Sequence, residues 1–152
     1  MDRVIKLFST GLGTGYSPIA PGTCGTVVGV GLFWLVSGMP VVHYTIFLLV
    51  FILFSCWVAD KARSLFGDDD PKQVTIDEIA GFLVTMAFHS WSVKAVVAGF
   101  VLFRIFDVLK PPPVRQIDQR MHNGFGIVLD DVMAGVYANV CLVGLKIWSS
   151  SL

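Results

Sequence analysis

Apolar residues along the chain fall into five runs separated by shorter polar or glycine-rich segments. The run over 41–59 contains no charged residue, and its length approaches the ~20 residues with which a helix crosses the hydrocarbon layer of a membrane. Four further runs cover 24–37, 79–88, 94–109 and 132–148. This pattern predicts an all-α protein, a compact helical bundle that is a multi-span membrane protein.

The overall composition agrees with that prediction. Hydrophobic residues make up 55% of the 152 residues, charged residues only 14%, and the mean hydropathy is +0.74. A soluble domain usually carries about 25% charged residues, although an unusually apolar soluble bundle is left open. The length predicts a single domain over 1–152, and the net charge of zero gives no basis for nucleic-acid binding.

Charged residues are distributed unevenly. All eleven acids and nine of the eleven bases lie within 1–23, 60–78 and 104–131. Alternate loops are therefore charged and uncharged, which predicts that one end of the bundle carries the polar cluster. The excess of lysine and arginine in short loops predicts that this end is cytoplasmic. The runs over 24–37 and 79–88 are short for crossing, so the number of spans stays open.

A glycine- and proline-rich segment covers 11–26. Its glycines let the backbone approach an anionic ligand, but no lysine follows them as in a P-loop and no strand precedes them. The alternative is close helix packing through Gly25 and Gly29, and the spacing alone favours packing.

An acidic segment over 68–78 precedes the third apolar run. Thr75 followed by Glu78 predicts a capping box at a helix start, and Asp77 and Glu78 would then lie where the helix dipole favours negative charge. Capping accounts for these two carboxylates. It does not account for Asp70 or for the acid pair at 130–131.

The fourth run carries three charges on one helical face. Arg104, Asp107 and Lys110 are spaced three residues apart, and ionisable groups near membrane depth are functional candidates because their burial is costly. A proline run ends this helix, and a turn containing Asn123 then leads to Asp130 and Asp131 at the start of the last apolar run. The prediction is that carboxylates from several helix starts meet cationic side chains.

Such a cluster has two interpretations that the spacing alone leaves open. Hard oxygen ligands favour Mg²⁺ or a similar ion, while arginine and lysine bind phosphate oxygens, and phosphoryl transfer requires both. The other interpretation is a set of structural ion pairs that connect helix ends.

Three blocks in order, over 13–26, 70–81 and 103–113 with 124–135, resemble the phosphatidylglycerophosphatase A family. Asn123 is a departure, since a glycine is expected there. The resemblance implies an all-helical, Mg²⁺-dependent phosphomonoesterase that converts phosphatidylglycerophosphate to phosphatidylglycerol and phosphate. It also implies a multi-pass protein of the bacterial cytoplasmic (inner) membrane whose active site faces the cytoplasm.

On this basis each candidate residue receives a role. Asp77, Glu78, Asp130 and Asp131 are expected to hold the metal, with Asp107 joining them or orienting Arg104. Arg104 and Lys110 are expected to bind the phosphate, and Asp70 to act as a further ligand or as the base. The expected catalytic set is therefore Asp70, Asp77, Asp131, Arg104 and Lys110, and the expected substrate-binding residues are Pro21, Gly22 and Thr23 together with Arg104 and Lys110.

Three alternatives accompany this hypothesis. An ion-coupled membrane carrier would distribute its charges across the membrane depth, whereas these gather at one end. A phosphotransferase of the kind that uses spaced Asp-Gly pairs is disfavoured because the chain has no Asp-Gly dipeptide. A phosphatase for a different lipid phosphate stays open, as does the oligomeric state.

Overall fold

The computed structural model describes residues 2–68, 71–112, 114, 116, 121 and 123–150, and for 147–150 it describes only the backbone. Within these ranges all regular structure is helical, which confirms the predicted fold class. The helices are α1 Asp2–Ser9, α2 Pro21–Val36, α3 Val41–Phe66, α4 Ile76–Thr85, α5 Val93–Leu109 and α6 Gly124–Ser150. A short 3-10 turn at Thr14–Tyr16 lies between α1 and α2.

Each of the five apolar runs corresponds to one of the helices α2–α6. The predicted boundaries were too narrow for α3, which continues to Phe66, and for α6, which already begins at Gly124. In both cases the helix extends past the apolar segment into residues that include charges. The short helix α1 was not predicted, because its eight residues mix apolar with charged side chains and contain no continuous apolar run.

Short connections make consecutive helices run in opposite directions. The starts of α2, α4 and α6 and the end of α5 therefore meet around one cavity, and we call this the acid end. The uncharged turns lie at the opposite end, where the ring of Phe33 lies 6.5 Å from Tyr44 and 5.9 Å from Trp91. The predicted clustering of charge at one end of the bundle is thus present.

Helix α4 is the central element of the bundle. Every residue from Ile79 to Thr85 is buried, and α2, α3, α5 and α6 all pack against it. Its closest neighbour is α6, which crosses α4 where Gly81 faces Gly135. A Cβ atom on Gly135 would collide with the carbonyl oxygen of Gly81, and a Cβ atom on Gly81 would lie 2.6 Å from the carbonyl oxygen of Asp131. Only glycine at both positions permits this approach.

The C-terminal carbonyl groups of α4 are buried among apolar side chains, so they require donors from other helices. The hydroxyl of Tyr44 donates to the Leu83 carbonyl at 2.8 Å. The side-chain amide of Asn139 donates to the carbonyls of Thr85 and Ala87, at 2.8 and 2.9 Å. These bonds satisfy the helix end without water.

In the part of the chain that the structure describes, two helices are long and apolar enough to cross a membrane by length and composition: α3 over its whole length, and α6 over Gly124–Lys146. Only 22% of the apolar window of α3 is buried inside the protein, so most of its apolar surface is uncovered. The ten residues of α4 span about 15 Å at 1.5 Å per residue, roughly half a hydrocarbon layer.

The glycine crossing can be tested with two substitutions in α6. Gly135→Ala is expected to lower the free energy of unfolding by about 1–3 kcal/mol, since the added methyl group overpacks the crossing. Gly144→Ala is the matched control, because a Cβ atom there meets no atom within 4 Å, and it should not destabilise the protein. Thermal unfolding in detergent compares the two. Equal melting temperatures would contradict the proposed role of the crossing.

Candidate active site

The acid end contains a cavity of about 320 Å³ built from helix ends that are distant in sequence. Its wall consists of the residues that begin α2, the segment before α4 with the first turn of α4, the last turn of α5, and the first turns of α6. Polar side chains predominate in it. All five acids that the sequence predicted as metal ligands line this one cavity.

Three of these acids form a tight group. Asp77, Glu78 and Asp131 each offer a carboxylate oxygen, and the three oxygens lie within 4.8 Å of one another. Asp131 is buried, with 4% of its surface exposed. The Oδ1 atom of Asp77 and the Oε2 atom of Glu78 are buried and have no hydrogen-bond partner among the described residues.

This group fits a divalent cation. A hard cation binds oxygens at about 2.0–2.6 Å, so two oxygens bound to it lie at most about 4–5 Å apart, and the three oxygens here, all within 4.8 Å of one another, meet that limit. Two buried carboxylate oxygens without donors are otherwise costly, and a cation would satisfy both. The donor set contains only oxygen, which favours Mg²⁺, Ca²⁺ or Mn²⁺ over softer metals.

Without a cation, the electrostatics of the group favour protonation. Burial, opposed in part by a hydrogen bond from Asp77, raises the pKa of Glu78 to about 8. Burial, and then the charge of Glu78, raise the pKa of Asp77 well above its usual range. Since these pKa values are higher folded than unfolded, the two groups favour the folded state at low pH, and this contribution is lost as pH rises toward 8.

Two cationic side chains face the carboxylates, and each has its own acidic partner. The Nη1 atom of Arg104 lies 2.7 Å from Oδ2 of Asp107, although none of its N–H bonds is aligned with a protein acceptor in the described part of the chain. The ammonium of Lys110 donates to Oδ2 of Asp130 at 2.8 Å. Asp107 and Asp130 therefore orient the cations, while Asp107 also lies within hydrogen-bonding reach of Asp131.

The start of α2 forms the opposite wall of the cavity. Pro21 and Gly22 line it, and the residue before them, Ala20, offers no side-chain cap. The first amide groups of a helix have no intrahelical acceptor, so those of α2 can donate to an anion. A Cβ atom on Gly22 would collide with Oε1 of Glu78 and would lie 3.2 Å from Nη1 of Arg104. Glycine therefore brings this backbone against the carboxylates.

The structure separates the predicted site residues into those it brings together and those it does not. Asp77, Glu78, Asp107, Asp130, Asp131, Arg104, Lys110, Pro21 and Gly22 all line the cavity. Thr23 is half-buried and does not line it. Asp70 lies outside the described residues.

The predicted capping box at α4 was wrong, because the expected cap hydrogen bond of the Thr75 side chain does not form. Thr75 occupies the N-cap position, but its side chain makes no cap hydrogen bond, and its hydroxyl is buried without a partner in the described chain. The reason is packing, because Thr75 lies between two backbone segments. A Cβ atom on Gly11 or on Gly25 would lie 2.7 Å from its side chain. The glycine-rich segment thus serves mainly close packing, as its spacing favoured, while Ala20, Pro21 and Gly22 line the cavity.

Sequence reasoning missed two features of the site. Lys72 lines the cavity as a third cation, and its position beside Pro71 in the acidic segment was the available signal. Asn123 acts as an N-cap of α6, since its side-chain oxygen accepts from the amide of Gly126 at 2.9 Å. Asparagine in place of the expected glycine therefore stabilises the start of the helix that carries Asp131.

Comparisons with known proteins identify relatives over nearly the whole chain. The family model described as Phosphatidylglycerophosphatase A matches residues 7–146. A protein of Haemophilus influenzae named phosphatidylglycerophosphatase A is 38% identical over 95% of this chain and 90% of its own length. The Escherichia coli protein of the same name is 35% identical, over 90% of this chain and 80% of its own length.

A third relative carries a different name. A Bacteroides thetaiotaomicron protein named putative phosphatidylinositol-3-phosphatase is 36% identical over 93% of this chain and 92% of its own length. No solved structure gives a significant match. The family model covers nearly all of the chain, including every residue of the cavity wall, and the chain therefore belongs to the phosphatidylglycerophosphatase A family.

Proposed function

We propose that this phosphatase removes the terminal phosphate of phosphatidylglycerophosphate with the help of Mg²⁺, releasing phosphatidylglycerol and inorganic phosphate. The observation that carries the proposal is the face-to-face arrangement within one cavity of three carboxylates, Asp77, Glu78 and Asp131, and two cations, Arg104 and Lys110. The names of two relatives support the choice of substrate.

In this proposal the cations bind the phosphoryl group. Among the described residues, the buried Nη1 atom of Arg104 has no aligned hydrogen-bond acceptor, so it can donate to a phosphate oxygen in addition to pairing with Asp107. Lys110 is held by Asp130 at the other side of the wall. The first amides of α2 and Lys72 supply further donors. Together they stabilise the charge that spreads over the equatorial oxygens during transfer.

Asp77, Glu78 and Asp131 would hold the cation, which when bound neutralises phosphate charge and acidifies water. Water attacks phosphorus, the bond from phosphorus to the glycerol oxygen breaks, and the leaving alkoxide takes up a proton to become a hydroxyl group. Asp70 is proposed as the base that accepts the proton of the water. We favour direct attack by water because no nucleophile motif is present in the chain.

The proposal places the protein in the bacterial cytoplasmic membrane as a multi-pass protein, with the acid end toward the cytoplasm. The largely uncovered apolar surface of α3 supports a membrane location. Lysine and arginine are concentrated in the loops of the acid end, which supports the orientation. A lipid could then keep its acyl chains in the bilayer while its headgroup enters the cavity.

A second candidate is a phosphatase for another lipid phosphate, and the name of the Bacteroides relative favours it. The phosphoryl-binding groups would be the same for both substrates. The difference would lie in the alcohol portion of the substrate.

Phosphate release tests the proposal directly. Detergent-purified protein is expected to release phosphate from phosphatidylglycerophosphate with Mg²⁺ and not with a chelator. Asp131→Asn should lower the rate at least ~100-fold, because it weakens the cation site. Asp2→Asn is the matched control, since Asp2 is exposed on α1 and does not line the cavity.

The same assay with phosphatidylinositol 3-phosphate and phosphatidic acid separates the two candidates. Faster phosphate release from either of these lipids would indicate that this lipid, and not phosphatidylglycerophosphate, is the substrate. Full activity of folded Asp131→Asn would exclude the acid group as the catalytic centre.

Cation binding should also be visible without turnover. Mg²⁺ at millimolar concentration is expected to raise the melting temperature of the chelated protein, and more at pH 8 than at pH 6, because fewer protons then compete for Glu78 and Asp77. Glu78→Gln should reduce this increase, while Asp2→Asn should retain it. An equal increase in wild type and Glu78→Gln would show that the cation binds elsewhere.

A further inference from the structure

A second polar cavity lies at the end of the bundle opposite the acid end. It occupies about 470 Å³ between the α4–α5 turn and the C-terminal part of α6. Its polar residues are His89, Ser90, Ser92, Lys94 and Lys146. None of them belongs to the proposed catalytic cavity, and the hydrolytic mechanism uses none of them.

Among the described residues, the charged side chains that line this cavity are both basic. Lys94 and Lys146 both line it, and the sequence contains no acidic side chain between Glu78 and Asp107 or after Asp131. The positive charge of Lys146 reaches His89, where it adds to burial in lowering the pKa of the imidazole. His89 is therefore neutral at pH 7 and adds a hydrogen-bonding group without charge.

His89 shows that the cavity has the features of a binding site. Only 9% of its surface is exposed, and its Nε2 atom is buried without a hydrogen-bond partner among the described residues. A buried polar atom without a partner is costly, and a ligand in the cavity could satisfy it. The start of α5 also lies at this cavity, and there the Ser92 side chain accepts a hydrogen bond from the Ala95 amide at 3.1 Å. The helix dipole of α5 favours an anion at this position.

An apolar groove continues from this cavity along α5 and α6. The groove has a volume of about 580 Å³ and is lined mainly by Val93, Val97, Val101, Leu102 and Leu145. Lys94, Ala98 and Leu145 line both the groove and the polar cavity, so the two are continuous. Val93, Val97 and Val101 are each more than half exposed, as expected of a surface that contacts an acyl chain.

A cationic cavity that opens onto an apolar groove matches the chemistry of one class of molecule. We propose that this region is a second lipid site, in which Lys94, Lys146 and His89 bind the phosphate of an anionic glycerophospholipid and the α5–α6 groove takes an acyl chain. Basic pockets between membrane helices bind anionic headgroups in this way. The inference rests on the membrane location in the proposed function, but not on the hydrolysis of any substrate.

Lipid binding by detergent-purified full-length protein tests the site. Native mass spectrometry with dioleoyl phosphatidylglycerol and dioleoyl phosphatidylcholine gives the affinity for each lipid. The double variant Lys94→Gln/Lys146→Gln is expected to bind the anionic lipid about 10- to 30-fold more weakly and the zwitterionic lipid unchanged. Lys61→Gln is the matched control, because Lys61 is exposed on α3 and lines neither cavity.

Two further variants keep the test decisive. Lys94→Arg/Lys146→Arg should restore preference for the anionic lipid, and Val97→Trp should weaken binding of both lipids by filling the groove. Unchanged affinity of the glutamine double variant for phosphatidylglycerol would overturn the proposal. So would an equal loss for both lipids in that variant.

Phosphate release distinguishes this inference from the proposed function. The glutamine double variant should retain wild-type hydrolysis in detergent, because both lysines lie at the end opposite the catalytic cavity. Loss of lipid preference in a protein that hydrolyses none of the lipid phosphates would support the second site while rejecting the proposed function.

Discussion

The close crossing of α4 and α6 at Gly81 and Gly135 is the contact on which the acid end depends. Asp77 lies one helical turn before Gly81, and the backbone carbonyl of Asp131 lies against Gly81 itself. The approach of the two helices thus sets the spacing of carboxylates that are more than fifty residues apart in sequence. Any side chain at the crossing would separate the helices and with them the carboxylates. The packing of two glycines therefore controls the geometry of charged side chains that do not themselves contact the glycines.

The two ends of helix α4 differ in how their buried polar groups are paired. Its C-terminal carbonyls accept hydrogen bonds from Tyr44 and Asn139, so that end is satisfied entirely by protein groups. Its N-terminal end carries Asp77 and Glu78, each of which has one buried oxygen without a hydrogen-bond partner among the described residues. The described residues thus complete the polar contacts of one end of α4 and leave buried oxygens without partners at the other. This asymmetry favours the acid end as a candidate site more than the number of its acids does.

The sequence predicted most of this arrangement, because hydrophobic periodicity and charge placement act locally. The runs for α2–α6 were identified, as were the acids at 77–78 and 130–131 and the shared face of Arg104, Asp107 and Lys110. What could not be predicted depends on contacts between distant segments. Thr75 fails to cap its helix because glycine backbones surround it, and the pairing of Lys110 with Asp130 requires the α5–α6 geometry. Asn139, an uncharged polar residue in an apolar run, gave no signal of its three carbonyl contacts.

One contact described for α6 also bears on the order in which the protein can assemble. Gly124 fits directly against α3, with a Cβ atom there colliding with the carbonyl of Cys56, and its amide donates to Asp60 at 3.3 Å. Helix α6 therefore docks on a helix made much earlier in synthesis, after the whole segment between them has been produced. Since long-range contacts of this kind form late, the first four helices alone contain Asp77 and Glu78 but not Asp131. An incomplete chain on the ribosome thus lacks one of the three clustered carboxylates, and the acid group is complete only when the last helix closes the bundle.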